Sequence, residues 1–169
     1  QPETVYAGAA WYQRECVLPA AWEGRRVTLH LERAHWETRV WIDGRPFGAQ
    51  NALATPHEYD LGLLPPGRHQ LTLRVDNRLI VDIGENSHSI SDHTQGNWNG
   101  VVGRIELRAT PRVWIDDLQV YPRVADRSIR VRGQLGNLGT GEGRGTVRLE
   151  VTPGEGARPG KDRGRRAAV

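Results

Sequence analysis

The chain has 169 residues, of which 37% are hydrophobic, with six Trp, one Cys and no Met. That is enough chain for one well-buried domain and part of another, and a lone Cys16 excludes an intrachain disulfide framework. The net charge of +3 sits in the tail, where Arg158, Lys161, Arg163, Arg165 and Arg166 face only Glu155 and Asp162, so the body is neutral and lacks the basic face of a nucleic-acid binder.

No stretch approaches the roughly 18 apolar residues of a membrane helix, and no signal-peptide pattern stands at the start. A first residue Gln1 and the lack of Met point to a piece of a longer reading frame or a processed chain. Lys161 is the only lysine, an Arg bias that fits a GC-rich bacterial gene. The compartment stays open between cytoplasm and a secreted or periplasmic location, and a homo-oligomer is also left open.

In chain order, residues 1 to 10 read as a lead-in, and Trp11 to Pro19 as a strand ended by proline. Trp22, Gly24 and Arg25 make a turn. Val27, Leu29 and Leu31 alternate with Arg26, Thr28, His30 and Glu32, which predicts a half-buried strand with His30 on its solvent side. Val40 to Ile42 followed by Asp43-Gly44 is the strongest hairpin signal in the chain. Residues 45 to 60 show no clear period, and Leu61 to Gly67 reads as a turn around Pro65-Pro66-Gly67.

Leu71, Leu73 and Val75 alternate again and stop at Asp76-Asn77. The stretch from Arg78 to Gln95 is polar and aperiodic, a length of loop that is usually functional. It runs into D-H-T-Q-G-N-W-N-G-V-V-G-R-I-E-L at 92 to 107, where a loop dense in hydrogen-bonding groups feeds a period-two strand, a common way to hold a recognition surface on a rigid sheet.

Val113 to Tyr121, Ile129 to Leu135 and Val147 to Val151 form a second set of three strands, too few to bury two faces. From Pro153 the composition turns to Gly, Pro, Arg and Ala, which predicts disorder. No helix of ordinary length has an apolar stripe. The fold class expected is all-β: a jelly-roll β-sandwich over 1–110, a partial immunoglobulin-like β-sandwich over 111–153, and a basic tail over 154–169.

A-G-A-A-W-Y-Q-R at 7 to 14, H-W-E-T-R-V-W-I-D-G at 35 to 44, L-P-P-G-R-H-Q-L-T-L-R-V-D-N at 64 to 77 and the 92 to 107 stretch together resemble the N-terminal sugar-binding domain of glycoside hydrolase family 2. That family comprises β-galactosidases, β-glucuronidases and β-mannosidases. V-W-I-D-D-L-Q-V-Y-P-R-V at 113 to 124 resembles the start of the immunoglobulin-like domain that follows in such enzymes.

The resemblance implies a downstream catalytic barrel carrying two glutamates of a retaining glycosidase, one as acid and one, about 5 Å away, as nucleophile. The family's Asn-Glu pair does not occur here. No catalytic residue is therefore assigned, and the implied role is non-catalytic binding of a β-glycoside beside that barrel.

Within it, Asp92 matches the region from which an acidic residue reaches the sugar. His93, Gln95, Asn97 and Asn99 are candidate hydrogen-bonding partners and Trp98 a stacking face. Asn86, His88, Trp36 and Glu37 are placed along the same edge. For Trp36, Trp41 and Trp11 core packing is the leading expectation and sugar stacking the alternative; Trp98 is read as either.

A free-standing lectin-like module is the competing reading. An enzyme built on His93 with Asp92, or His88 with Ser87 and Ser89, lacks any pattern that fixes the needed geometry. No metal or cofactor is expected, although Asp60 or Asp116-Asp117 offers oxygens of the kind calcium takes.

Overall fold

The structure is a computed structural model and describes residues 6–88, 90, 98–141 and 145–150, with the backbone of 167 and 168. The chain divides into two compact units, Gln1–Leu138 and Gly139–Val169. In the first, seven strands build a sandwich: β1 (Ala9–Leu18), β2 (Arg26–His35), β3 (Glu37–Ile42), β4 (Arg45–Gln50), β5 (His57–Leu63), β6 (Gly67–Asp76) and β7 (Gly100–Thr110). One sheet has the order β1-β6-β3-β4 and the other β5-β2-β7. All these pairings are antiparallel.

The core forms where alternate residues of the two sheets meet. Val40, Ile42, Leu71, Leu73 and Val75 come from one sheet, and Val27, Leu29, Leu31, Tyr59 and Leu61 from the other. The Asp43-Gly44 turn closes the β3–β4 hairpin with both residues at positive φ, 52° and 79°, the geometry that makes this dipeptide a hairpin signal. Between β1 and β2 lies a single 3-10 turn, Ala20–Trp22.

Strand β5 starts in residues 57 to 60, which show no period by hydrophobicity, and continues through Leu61 to Leu63, which the sequence reads as part of a turn. Its buried positions are His57, Tyr59 and Leu61, two of which carry polar atoms into the interior. They are accommodated by hydrogen bonds. The Thr38 hydroxyl lies 2.6 Å from both His57 Nδ1 and Tyr59 Oη, while His57 Nε2 donates to the Ala52 carbonyl at 2.7 Å. Burial pushes the His57 pKa down and that of Tyr59 up.

His30 corrects an expectation. It lies on the outer side of β2, as the alternation requires, yet is only 6% exposed. β2 is the central strand of its sheet, so Glu58 of β5 and Glu106 of β7 flank His30 in register. Arg108 bridges Glu106 and Glu58, and Glu58 Oε1 lies 2.8 Å from His30 Nδ1.

Trp11 and Trp41 also depart from core packing. Trp11 is 60% exposed and Trp41 half-buried, because both stand on the outer face of the four-stranded sheet. Trp36 does enter the interior at 5% exposure, donating its indole N–H to the Asn51 carbonyl at 2.7 Å.

Strands β8 (Val113–Arg123) and β9 (Ser128–Asn137) form a separate antiparallel hairpin. It is tied to the sandwich by Arg26, whose guanidinium lies 3.9 Å from the Trp114 ring centroid, and by Arg112 Nε donating to the Gly24 carbonyl at 3.0 Å. Trp114 lies across Gly136, where a Cβ would come within 2.1 Å of the ring.

In the second unit, where a strand is expected over 147 to 151, the described strand is β10 (Thr146–Val147), paired with β11 (Ala167–Ala168). Residues 148–150 are not strand. The rest of the stretch expected to be disordered lies outside the described residues.

Candidate functional site

One end of the sandwich gathers the segments that the sequence singles out. Here the β2–β3 corner, the end of β6 and the start of β7 converge. His35 pairs with Gly100, Glu37 pairs with Asp76, and the Trp36 N–H donates to the Asp76 carbonyl at 3.0 Å.

Asn77 acts as a clamp at this end. Its carboxamide oxygen accepts the Gly8 N–H at 2.7 Å, and its nitrogen donates to the Tyr6 carbonyl and the Asn99 side-chain oxygen, both at 2.6 Å. A single amide thus fixes the chain entering β1, leaving β6 and entering β7.

Trp98 is fixed from the other side. His35 Nδ1–H donates to the Trp98 carbonyl at 2.6 Å, and the two rings lie 5.5 Å apart. The Trp98 indole nitrogen is buried with no hydrogen-bond partner among the described residues. The loop's return to the sheet is therefore held by His35 and Asn77. Neither residue is singled out by the sequence, since one reads as the tail of an alternating strand and the other as a strand terminator.

The outgoing side of the loop is locally organised. Asp82 Oδ1 accepts the Gly84 N–H at 3.0 Å, and the Ser87 hydroxyl donates to the Gly84 carbonyl at 2.7 Å. These bonds form a compact turn presenting Asn86 and His88 to solvent. The Ser87 hydroxyl is thus directed at a backbone carbonyl, and Ser89, the other serine considered beside His88, lies outside the described residues.

Charge gathers beside the same end. Glu37 accepts from Arg39 and Arg74, each at 2.9 Å, and Asp76 accepts from Arg74 and Arg78. The Arg78 guanidinium is the main cause that holds the Asp76 carboxyl down at about 2, and the Arg39 guanidinium lowers the Glu37 pKa.

Of the candidate residues, the structure brings together Trp36, Glu37, Trp98 and Asn99, with Asn86 and His88 on the loop leaving the same end. Trp36 is too buried to offer an open ring face. Asp92, His93, Gln95 and Asn97 lie outside the described residues.

Among the described residues no group of three His, Cys, Asp or Glu side chains could hold a metal ion. Asp60 is engaged by Arg26 and by the Gly62 N–H, and Asp117 by Gln119. No described helix is long and apolar enough to cross a membrane.

No family model matches the chain. The β-glucuronidase of Homo sapiens is 27% identical over 168 residues, covering 85% of this chain and 26% of that protein. The β-glucuronidase of Faecalibacterium prausnitzii superposes with a TM-score of 0.62 at 24% identity, over 79% of this chain and 27% of the other. A GH2 β-galacturonidase from Eisenbergiella tayi, solved with galacturonate bound, gives a TM-score of 0.64 at 24% identity, over 86% of this chain and 25% of the other. The chain spans about a quarter of the length of these relatives.

Proposed function

We propose that this chain, a homologue of the N-terminal part of family 2 glycoside hydrolases, is a non-catalytic carbohydrate-binding and scaffolding portion of such an enzyme. The reaction, hydrolysis of a terminal β-glycoside with retention, belongs in this reading to a barrel outside residues 1–169. A retaining site needs two carboxyl groups about 5 Å apart across the sugar carbon. This chain's task is to hold a loop against the edge of that site.

The observation that carries the reading is the double anchoring of the loop's return, with Asn99 held by Asn77 and the Trp98 carbonyl held by His35. Binding residues work when a rigid scaffold fixes them. In this assignment Asp92 accepts a hydrogen bond from a sugar hydroxyl, and His93, Gln95 and Asn97 supply further polar contacts. Trp98 and Asn99 set the position of the loop, Asn86 and His88 approach from its outgoing side, and Glu37 and Trp36 shape the floor.

The test uses the enzyme in which this chain is continuous with its barrel. Asp92→Ala is expected to lower kcat/KM by about tenfold to a hundredfold, the range for removing a hydrogen bond to a charged group. Asn77→Ala is expected to produce a smaller loss by releasing Asn99. An Asp92→Ala enzyme as active as the parent on β-glucuronides, β-galactosides and β-mannosides would remove Asp92 from the sugar site.

A further inference from the structure

The outer face of the four-stranded sheet carries an aromatic and charged surface that the loop reading leaves unused. In-register pairing sets Trp11 of β1 opposite Arg74 of β6, and Arg74 opposite Arg39 of β3. The three side chains therefore stand in one row, on the face turned away from the core. The Trp11 ring, 60% exposed, lies 5.3 Å from that of Trp41 at a tilt of 33°. On the same face Gln13 of β1 donates to the Thr72 hydroxyl of β6 at 3.1 Å. The result is an open apolar ring surface with polar groups at its edge.

Beside this row, Glu37, Arg39, Arg74, Asp76 and Arg78 line a hollow of about 380 Å³. Three guanidinium groups bring roughly fifteen N–H donors against roughly eight lone-pair positions on two carboxylates, so donors outnumber acceptors. One positive charge is also left over. The Arg39 and Arg78 side chains are 50% and 66% exposed, so they can turn their remaining N–H groups to a ligand. A surface that joins an apolar ring face to surplus guanidinium donors matches a flat sugar ring bearing an anionic group.

We infer that this face is a second saccharide site, specific for acidic sugars. The C–H face of a pyranose ring packs on Trp11, and its carboxylate takes charge-assisted hydrogen bonds from Arg39 and Arg78. The inference stands apart from the loop around Trp98 and Asn99, although Glu37 and Asp76 and the arginines that engage them lie beside that same end.

The experiment is a titration of the 169-residue chain with a galacturonate trisaccharide and with the neutral galactose trisaccharide, followed by the indole N–H signal of Trp11. The expected result is a saturable shift with the acidic sugar, weaker with the neutral one and weakened by salt. Trp11→Ala, at an exposed position, is expected to reduce affinity about tenfold, Trp11→Phe less, and Arg39→Gln to abolish the preference for the acidic sugar. Asn99→Ala should leave this binding unchanged.

No shift at Trp11, or equal affinity for the two sugars, would overturn the assignment. Binding lost in Asn99→Ala but kept in Trp11→Ala would also overturn it, while leaving the loop reading in place.

Discussion

The sandwich and the β8–β9 hairpin are written in the same pattern and end in different states. Leu29, Leu31, Leu73 and Val75 alternate with polar residues and are at most 5% exposed. Ile115, Val120 and Leu135 share one face through the pairs Ile115 with Leu135 and Val120 with Val131, a register shift between Asp116 and Gln119 bringing the first two onto the same side, and remain 49 to 58% exposed. Alternation states which face of a strand must be covered. It does not state that a cover is present.

An intermediate case lies within the sandwich itself. β1 and β7 are edge strands of opposite sheets, and between them a cleft of about 770 Å³ reaches Leu29, Leu71, Leu73 and Leu107. The opposite side is closed by Trp36, Thr38, His57 and Tyr59. Burial is thus graded across the unit from the β4–β5 side, through the cleft, to the hairpin.

The largest effect that sharpens this contrast is a pair of truncations. Leu31→Ala is expected to cost about 2–5 kcal/mol, since Leu31 is fully buried away from the cleft and its truncation leaves a cavity in a filled interior. Val120→Ala on the hairpin should stay within about 0.5 kcal/mol. Urea unfolding of the two variants checks this, and equal losses would mean that the hairpin face is covered.

Asp76→Asn should come next. With the Asp76 carboxyl held at about 2 against an ordinary 3.8, the wild-type chain gains about 2 kcal/mol from this group above pH 3.8. That gain is lost as the pH falls through 2. The Asn variant is expected to lack it, so the two unfolding curves converge in acid and separate towards neutrality.

Two buried histidines supply the subtlest contrast. His57 is held in its neutral form by burial, with a pKa lowered from 6.5. The unfolded chain takes up a proton there first, so this group's contribution is complete above pH 6.5 and falls on acidification. His69 behaves oppositely. Its Nε2 faces the Pro65 carbonyl at 2.8 Å and its Nδ1 faces Asp43 at 2.6 Å, and these acceptors raise its pKa.

Its contribution is therefore present below pH 6.5 and lost as the pH rises through the folded value. Stability measured between pH 5 and 8 should lose part of its acid-side fall in His57→Gln. It should lose part of its acid-side support in His69→Gln. Slopes of the same sign for both substitutions would contradict the assigned protonation states.

The sequence makes much of this fold legible. Residues 27 to 31, 71 to 75 and 101 to 107 carry the two-residue period, and Asp43-Gly44 marks its turn. β5 is hidden because two of its buried side chains, His57 and Tyr59, satisfy their polar atoms through Thr38 and Ala52, a partnership absent from any local window. His30 looks exposed because alternation reports a face but not the charged layer that Glu58, Glu106 and Arg108 place over it. Trp11 and Trp41 look like core because size and apolarity do not say which side of a strand faces inward.

At the candidate site polar density and family resemblance make the stretch legible as a candidate, with residues 91 to 97 outside the described ones. Its anchors, His35 and Asn77, are not, since each acts through a backbone group or an amide more than twenty residues away.

The most direct test of the central claim is hydrolysis of chromogenic β-glucuronide, β-galactoside and β-mannoside by the 169-residue chain and by the same chain extended through a downstream barrel. Activity confined to the extended protein is the result this account predicts. Turnover by the 169-residue chain that survives repurification would contradict it and place a catalytic site within these residues.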